Sequence, residues 1–415
     1  MRERDFDLIL WGASGFTGRL VAEQLARHGP ARQLRWAVGG RNPEKLAATL
    51  AGIGATGVPV VLADSHDPRS LADLARTTRA ICSTVGPYAL HGSELVSACA
   101  DTGTHYCDLS GEVHWMRHMI DAHEQRAIET GARIVHSCGF DSIPSDLGCL
   151  FLQSHAIERY GRPCSSVKLF VRRMKGTFSG GTVASMLNAL DVAKRNPEER
   201  RIMGNPYALN PAGDATGPDG RDLARPLRDP DAGSWTAPFV MAAVNTRIVR
   251  RSHALLGWPW GHRFRYSESM ITGDGLAGLA RATAITGALG GFVAAASIGP
   301  ARALMKRLFL PQPGHGPDEA AREAGGFEML LIGRHPAAPE RYIRARVIGR
   351  RDPGYGATAR MLAEAAMCLA LEGARLPVSG GSWTPATAFG ERLITRLAEN
   401  ADIRFVIDDA DSHGA

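Results

Sequence analysis

From Asp7 to Val135 the chain repeats one local pattern: a short apolar run, a turn marked by glycine or proline, then a stretch with helical spacing. Asp7–Trp11, Arg35–Val38, Val58–Leu62, Ala80–Val85, His105–Leu109 and Ala132–Val135 read as strands. Leu20–Arg27, Pro43–Leu50, Ser70–Arg76, Leu90–Thr102 and Met116–Thr130 read as helices between them. The strands are apolar throughout rather than alternating, so both of their faces must be covered, and the intervening helices are the cover. Uninterrupted β/α alternation of this length predicts an α/β chain with a doubly wound parallel sheet.

After Cys138–Pro144 the alternation stops. Val167–Arg173 and Val347–Arg351 are expected strands and Ala184–Lys194 is an expected helix, while Asn205–Pro230, rich in Gly, Pro and Asp, predicts a long surface loop. Thr358–Leu371 has the pattern of an amphipathic helix, Phe389–Glu399 of another helix, and Ile403–Ile407 of a late strand. The expected division is a nucleotide domain at 1–140, an α+β substrate and dimerisation domain at 141–354 with an apolar segment at 282–310, and a C-terminal segment at 355–415. Composition agrees with a large globular protein: 415 residues, 44% hydrophobic and 22% charged, exclude a disordered chain, a coiled coil and a collagen-like repeat. Seven cysteines without a CxxC pair favour free thiols over a disulfide framework. Met1–Asp7 runs into the first strand with no signal peptide before it, so a cytoplasmic location is expected.

Gly12-Ala-Ser14-Gly15-Phe16-Thr17-Gly18 follows the first strand and opens the first helix, the context in which a glycine-rich turn becomes a dinucleotide loop of the Rossmann type. Gly12 permits the tight turn, Gly15 a close approach of backbone to pyrophosphate, and Gly18 helix–sheet contact. Free N–H groups at the helix start face the anion, aided by the helix dipole. The second strand closes on Arg41 and Asn42, twenty-three positions beyond Gly18, where an NAD site would carry a carboxylate. With no carboxylate to repel a 2′-phosphate and a guanidinium to hold it, NADP(H) is the expected cofactor. Asp64 after the third strand is placed near the adenine; Val85, Gly86 and Pro87 after the fourth lie beside the nicotinamide ribose. Tyr88 is either a wall of the pocket or an acid.

Four blocks, Gly12–Gly18, Thr84–Tyr88, Asp108–Glu112 and Cys138–Asp146, together resemble the saccharopine dehydrogenase-like oxidoreductases. Phe178–Met186, Asn245–Arg251, Phe264–Glu268 and Asp352–Tyr355 narrow the resemblance to the trans-acting enoyl reductases of complex-lipid biosynthesis. It extends over nearly the whole chain, from about residue 8 to 395. The resemblance implies an NADPH-dependent reductase of a C=C bond in polyketide-derived lipid chains held by a separate synthase, with the segment after Tyr355 packing back on the nucleotide domain. Saccharopine reductases proper share the fold and take an amino-acid substrate. A lipid-associated NADP-binding protein with little turnover is a third reading.

Enoyl reduction places a hydride on the β-carbon and a proton on the α-carbon, and in between charge gathers on the carbonyl oxygen. Catalytic candidates after the strands are Tyr88, Asp141 and Ser142, with Glu112 nearby; Ser179 and Thr182 are substrate-side candidates. Asp141 or Ser142 also suits the cap of a following helix. His114, His118 and His123 have helical spacing but lack a further ligand, so surface histidines are expected rather than a metal site. Ala232–Ser267 holds no acidic residue and mixes Arg247, Arg250, Arg251, Arg263 and Arg265 with aromatic residues. No nucleic-acid module accompanies it; a face that docks on anionic headgroups or an acidic carrier is one reading, a solvated face with core aromatics the other. Ala282–Ala301 is uncharged and rich in Ala and Gly, with Lys306, Arg307 and Leu308–Leu310 beyond. A segment lying on the inner face of the plasma membrane and a buried or homodimer-forming segment suit it better than a span.

Overall fold

The computed structural model describes residues 4–177, 179–299, 316–338 and 341–408. Its first sheet is built from β1 (Phe6–Trp11), β2 (Trp36–Gly40), β3 (Val60–Leu62), β4 (Thr78–Ser83), β5 (His105–Asp108) and β6 (Arg133–Val135). Between them run α1 (Phe16–His28), α2 (Pro43–Gly52), α3 (Pro68–Arg76), α4 (Tyr88–His91), α5 (Ser93–Thr102) and α6 (Val113–Thr130). All neighbours are parallel and the order is β6-β5-β4-β1-β2-β3, so the order reverses between β1 and β4, at the mouth of the glycine loop. Ligands of open α/β sheets bind at such a switch point.

The chain then crosses through α7 (Ile143–Tyr160) into a second sheet. β7 (Ser166–Lys175) is followed by α8 (Gly180–Arg195), α9 (Pro197–Gly204), β8 (Leu227–Asp229), β9 (Ser234–Ala237), α10 (Ala242–Leu255), β10 (Arg265–Gly273) and α11 (Gly275–Ala296). A short α12 (Glu319–Glu323) precedes the long pair β11 (Gly326–Arg334) and β12 (Tyr342–Arg350). This sheet is mixed: β7 runs parallel to β10, and β11 antiparallel to both β7 and β12. α13 (Thr358–Glu372), β13 (Gly381–Trp383), α14 (Pro385–Phe389), α15 (Glu391–Asn400) and β14 (Ile403–Ile407) complete the chain.

The C-terminal segment does not simply return to the nucleotide domain. α13 lies on β1, β4 and β5, and β13 extends the first sheet beside β6, yet β14 pairs with β12 at the edge of the second sheet. The segment therefore ties both sheets, and one continuous core runs from Leu8 and Leu10 through Leu147, Leu331 and Val347 to Leu393 and Ile403. α13 also departs from its expected amphipathic form. Every residue from Thr358 to Ala370 is buried, because helix α1 and the sheet cover it on one side and α15 on another. Its charged members survive by pairing: Glu364 meets Arg396 at 2.9 Å, and Arg360 pairs with Asp402. The expected single helix at Phe389–Glu399 is broken at Gly390, whose φ of 54° interrupts it.

Of the arginine-rich stretch, Arg263 and Arg265 are exposed, whereas the three arginines of α10 are withdrawn from any docking face. Arg247, Arg250 and Arg251 lie on α10 and are 3–4% exposed. Arg247 pairs with Asp222 at 2.6 Å, Arg250 with Asp219 at 2.7 Å, and Arg251 donates to the carbonyls of Leu209 and Ser382. They hold down the expected surface loop, of which Tyr207–Asn210 are buried as a result. Trp260, Phe264 and Tyr266 are core residues. All seven cysteines are free and buried.

Candidate active site

Gly12 sits at φ 92°, in the left-handed region, and its carbonyl accepts the N–H of Gly15 at 3.0 Å. A Cβ on Gly18 would stand 2.1 Å from that carbonyl oxygen, so only glycine lets α1 start this close to the turn. Ser14 and Gly15 are exposed, no side chain caps α1, and the first N–H groups of any helix lack intrahelical partners. An open row of donors thus faces the switch point. Thr84, which opens the Thr84–Tyr88 block but carried no expected role of its own, bonds the carbonyls of Trp11 and Gly12 through its hydroxyl at 3.2 Å each and locks the end of β4 to the loop.

Arg41 and Asn42 stand exposed past β2. The Asn42 side chain accepts from Lys45 N–H at 2.7 Å, so it caps α2, while the Arg41 guanidinium has no salt bridge among the described residues and remains available to a phosphate. Asp64 accepts the N–H of His66 at 2.9 Å in a local turn at the end of β3. Val85 packs close to Gly12, and Gly86–Pro87 is a cis peptide. Phe16 turns its ring away to an edge contact with Tyr355 at 4.8 Å, which leaves its backbone for the anion. These residues fit a dinucleotide: a cradle that a side chain would fill, free donors along it, and a cation where a 2′-phosphate would lie.

Beside this crevice opens a cavity of about 600 Å³, within the usual range for small-molecule sites. Thr17, Thr84 and Gly86 line its nucleotide end, and Leu190, Leu289 and Val293 its far end between α8 and α11. Met174, Met186, Phe239 and Val240 make the walls apolar, and no Lys or Arg lines it among the described residues. Asp141 is on its wall, its carboxyl pushed up to about 7 by burial and by the nearby Asp108. Glu112, 2% exposed, accepts from Tyr88 N–H at 2.7 Å, Ala89 N–H at 3.0 Å and the Ser185 hydroxyl at 2.7 Å; burial raises its pKa and those donors oppose the rise. Ser179 caps α8 through Thr182 N–H, and the two hydroxyls lie 2.8 Å apart on the wall.

Two expected catalytic residues do not have the predicted freedom. The Tyr88 hydroxyl donates to Ser83 O and accepts from Leu109 N–H, both at 3.1 Å, so the ring is a wall whose proton is committed to backbone. Burial first, then Asp108, pushes its pKa up further. Ser142 is fully buried off the cavity lining, and its hydroxyl donates to Asn245 at 3.1 Å rather than capping α7. The three histidines also differ from a surface set. His118 bonds Glu199 at 2.7 Å, whereas His114 is 3% exposed and lines the cavity. No group of three or more metal-ligating side chains occurs among the described residues.

Comparison with known proteins places this geometry. The saccharopine dehydrogenase NADP binding domain matches residues 8–135. A Mycobacterium tuberculosis protein whose name assigns it provisionally as a trans-acting enoyl reductase is 42% identical over 95% of this chain and 96% of its own. A Mycobacterium bovis trans-acting enoyl reductase is 39% identical over the same shares. Among solved structures, saccharopine dehydrogenase from Saccharomyces cerevisiae superimposes with a TM-score of 0.53 over 97% of this chain and 99% of its own, at 12% identity, a likeness of fold. With the glycine cradle, the NADP-domain match and the end-to-end likeness to these relatives, the chain is an NADP-dependent oxidoreductase that belongs to the saccharopine dehydrogenase-like family, in its trans-acting enoyl reductase group.

Proposed function

We propose that the protein reduces an α,β-unsaturated acyl chain of lipid or polyketide type, presented by a separate carrier, at the expense of NADPH. The observation that carries this reading is the cavity itself: mostly apolar, lacking Lys and Arg among its described lining residues, and continuous from the nucleotide crevice to α11. An amino-acid substrate of the saccharopine kind needs cations for its carboxylates, and the described residues of these walls offer none. A carboxyl poised near neutrality on the cavity wall favours turnover over binding alone.

Bound NADPH would supply the hydride for the β-carbon. Asp141, protonated below about pH 7, holds the proton for the α-carbon. Of the two hydroxyl protons of Ser179 and Thr182, one joins the oxygens and the other is left to donate to the substrate carbonyl as charge gathers there. Glu112 is a positioning residue, since it ties the turn after β4 to Ser185 on α8. Oxidation of NADPH by a medium-chain trans-2-enoyl thioester, followed at 340 nm, tests the reading; turnover with an amino-acid and keto-acid pair alone would reverse it. Arg41→Ala should weaken NADPH by about 1.5–3 kcal/mol, roughly ten- to a hundredfold, while leaving NADH nearly unchanged. Equal losses for both cofactors would remove Arg41 from the 2′-phosphate.

α11 supports delivery from a lipid surface. Only 11% of its apolar 18-residue window is buried, Leu276 is 85% exposed, and Leu289 and Val293 reach the cavity. Exposed Lys194 and Arg195 at the end of α8 and Arg281 on α11 itself take the part that the buried arginines of α10 cannot; Arg302, Lys306, Arg307 and Leu308–Leu310 lie outside the described residues. Salt-sensitive sedimentation with anionic liposomes is the expected result, weakened by Leu276→Glu. A protein that stays in the supernatant at low salt and sediments as a dimer would assign the α11 face to a second copy instead.

A further inference from the structure

Arg41 belongs to a set of three side chains able to carry positive charge at the carboxyl edge of the first sheet. His66 follows β3 and His91 ends α4 beyond β4, and in the sheet order β1 and β2 lie between those two strands. The two rings nevertheless meet edge to face, centroids 5.5 Å apart, so the pair stands across the ends of the strands that lead to Gly12 and Arg41. His66 is exposed and His91 half-buried, and neither ring makes a hydrogen bond or salt bridge among the described residues. The carboxylates around them are engaged by backbone: Asp64 accepts the N–H of His66, Asp67 that of Arg69, and Glu112 those of Tyr88 and Ala89. Burial first, then the charges of His66 and Arg41, lower the pKa of His91, and Glu112 opposes them. Groups of one sign gathered without a counter-ion repel one another, and a bound anion relieves that repulsion.

We infer that His66 and His91 complete the 2′-phosphate site begun by Arg41, and that they bind the phosphate by taking up a proton from solvent. A phosphate monoester carries about −1.5 to −2 at neutral pH, of which one guanidinium neutralises only part. The imidazoles supply the rest. A dianion beside His91 reverses the balance that keeps the ring neutral, so its pKa rises in the complex and the ring gains a second N–H donor. Because the bound value lies above the free one, this contribution is complete below the free value and is lost as pH rises through the bound one. NADH carries no phosphate there, and its binding leaves both rings as they are. The inference rests on the cofactor and not on the acyl-chain reading.

The test is calorimetric titration of NADPH and of NADH in two buffers of different ionisation enthalpy, with no acyl substrate present. At about pH 7.5 the free phosphate, with its own pKa near 6, is already dianionic and takes up nothing itself. Wild type should bind NADPH with net proton uptake and NADH without it. Its affinity for NADPH should fall about three- to tenfold between about pH 7 and 8.5, while that for NADH stays level. His91→Gln, which still hydrogen-bonds but cannot charge, should lose most of the uptake, flatten the decline and weaken NADPH alone. His66→Gln should weaken NADPH in the same selective way. Binding of NADPH to wild type without proton uptake overturns the inference, and that measurement needs no variant. Uptake that persists in both glutamine variants overturns it as well. Equal losses of NADPH and NADH in the variants would assign the rings to the adenine that both cofactors share, and so remove them from the phosphate.

Discussion

A Gly18→Ala protein should lose NADPH binding by more than a hundredfold. The added methyl carbon would stand 2.1 Å from the Gly12 carbonyl oxygen and 2.9 Å from Ala13 Cα, both backbone atoms that no rotamer change can clear. The start of α1 must therefore move off the turn, and the donors facing the switch point move with it. Because the row acts as a unit on one pyrophosphate, a displacement of about 1 Å costs several hydrogen bonds to a charged group, each worth about 1.5–3 kcal/mol. Gly52→Ala is the control: nothing lies within 4 Å of a Cβ there, and inside α2 alanine is the better helix former. Titration of NADPH into both variants, with circular dichroism to verify folding, decides the matter. A folded Gly18→Ala that binds NADPH within threefold of wild type would sink this account of the loop.

The second large effect concerns Asp141→Asn. Removing the proposed proton source should lower kcat by about a hundred- to ten-thousandfold while leaving the affinity for NADPH unchanged. Wild-type kcat should fall as pH rises through about 7, where Asp141 loses its proton, and the residual rate of the variant should lack that descent. Stability carries an independent signature. The folded pKa lies above the unfolded value near 3.9, so the folded state binds this proton more tightly and stability declines as pH rises from about 4 to about 7. Asp141→Asn should escape that decline, and melting temperatures of the two proteins across this range should diverge toward neutral pH. A variant with wild-type kcat assigns the proton to another group.

The nucleotide half of the molecule was legible because its information is local. Strand and helix alternate with their own periods, and Gly12–Gly18 and Arg41 fall at fixed distances from strands that the period locates. The remainder depended on burial, which spacing does not encode. Arg247, Arg250 and Arg251 counted as surface charge until Asp219, Asp222 and two backbone carbonyls were found opposite them. Thr358–Leu371 looked amphipathic because Arg360 and Glu364 are charged, and their partners lie thirty or more positions away in sequence. Tyr88 and Ser142 sat where a reacting group belongs, but the backbone of Ser83 and Leu109 and the carboxamide of Asn245 had already taken their hydroxyls. His114 was read with His118 and His123 as one exposed set, and only the packing of α6 against α9 and the cavity separated it from them.

The path of the last fifty residues bears on how the chain acquires this shape as it is made. α13 is the cover for β1, β4 and β5, and β14 closes the edge of β12, so the apolar face laid down by Leu8, Leu10 and Cys82 waits for helices encoded some 350 residues later. Synthesis at about 5–20 residues per second leaves that face uncovered for tens of seconds. The first sheet cannot finish before Trp383 has emerged, nor the second before Ile407. The nascent chain is thus a natural client for a holding chaperone, and a stop codon placed just before Thr358 strands both halves rather than trimming one.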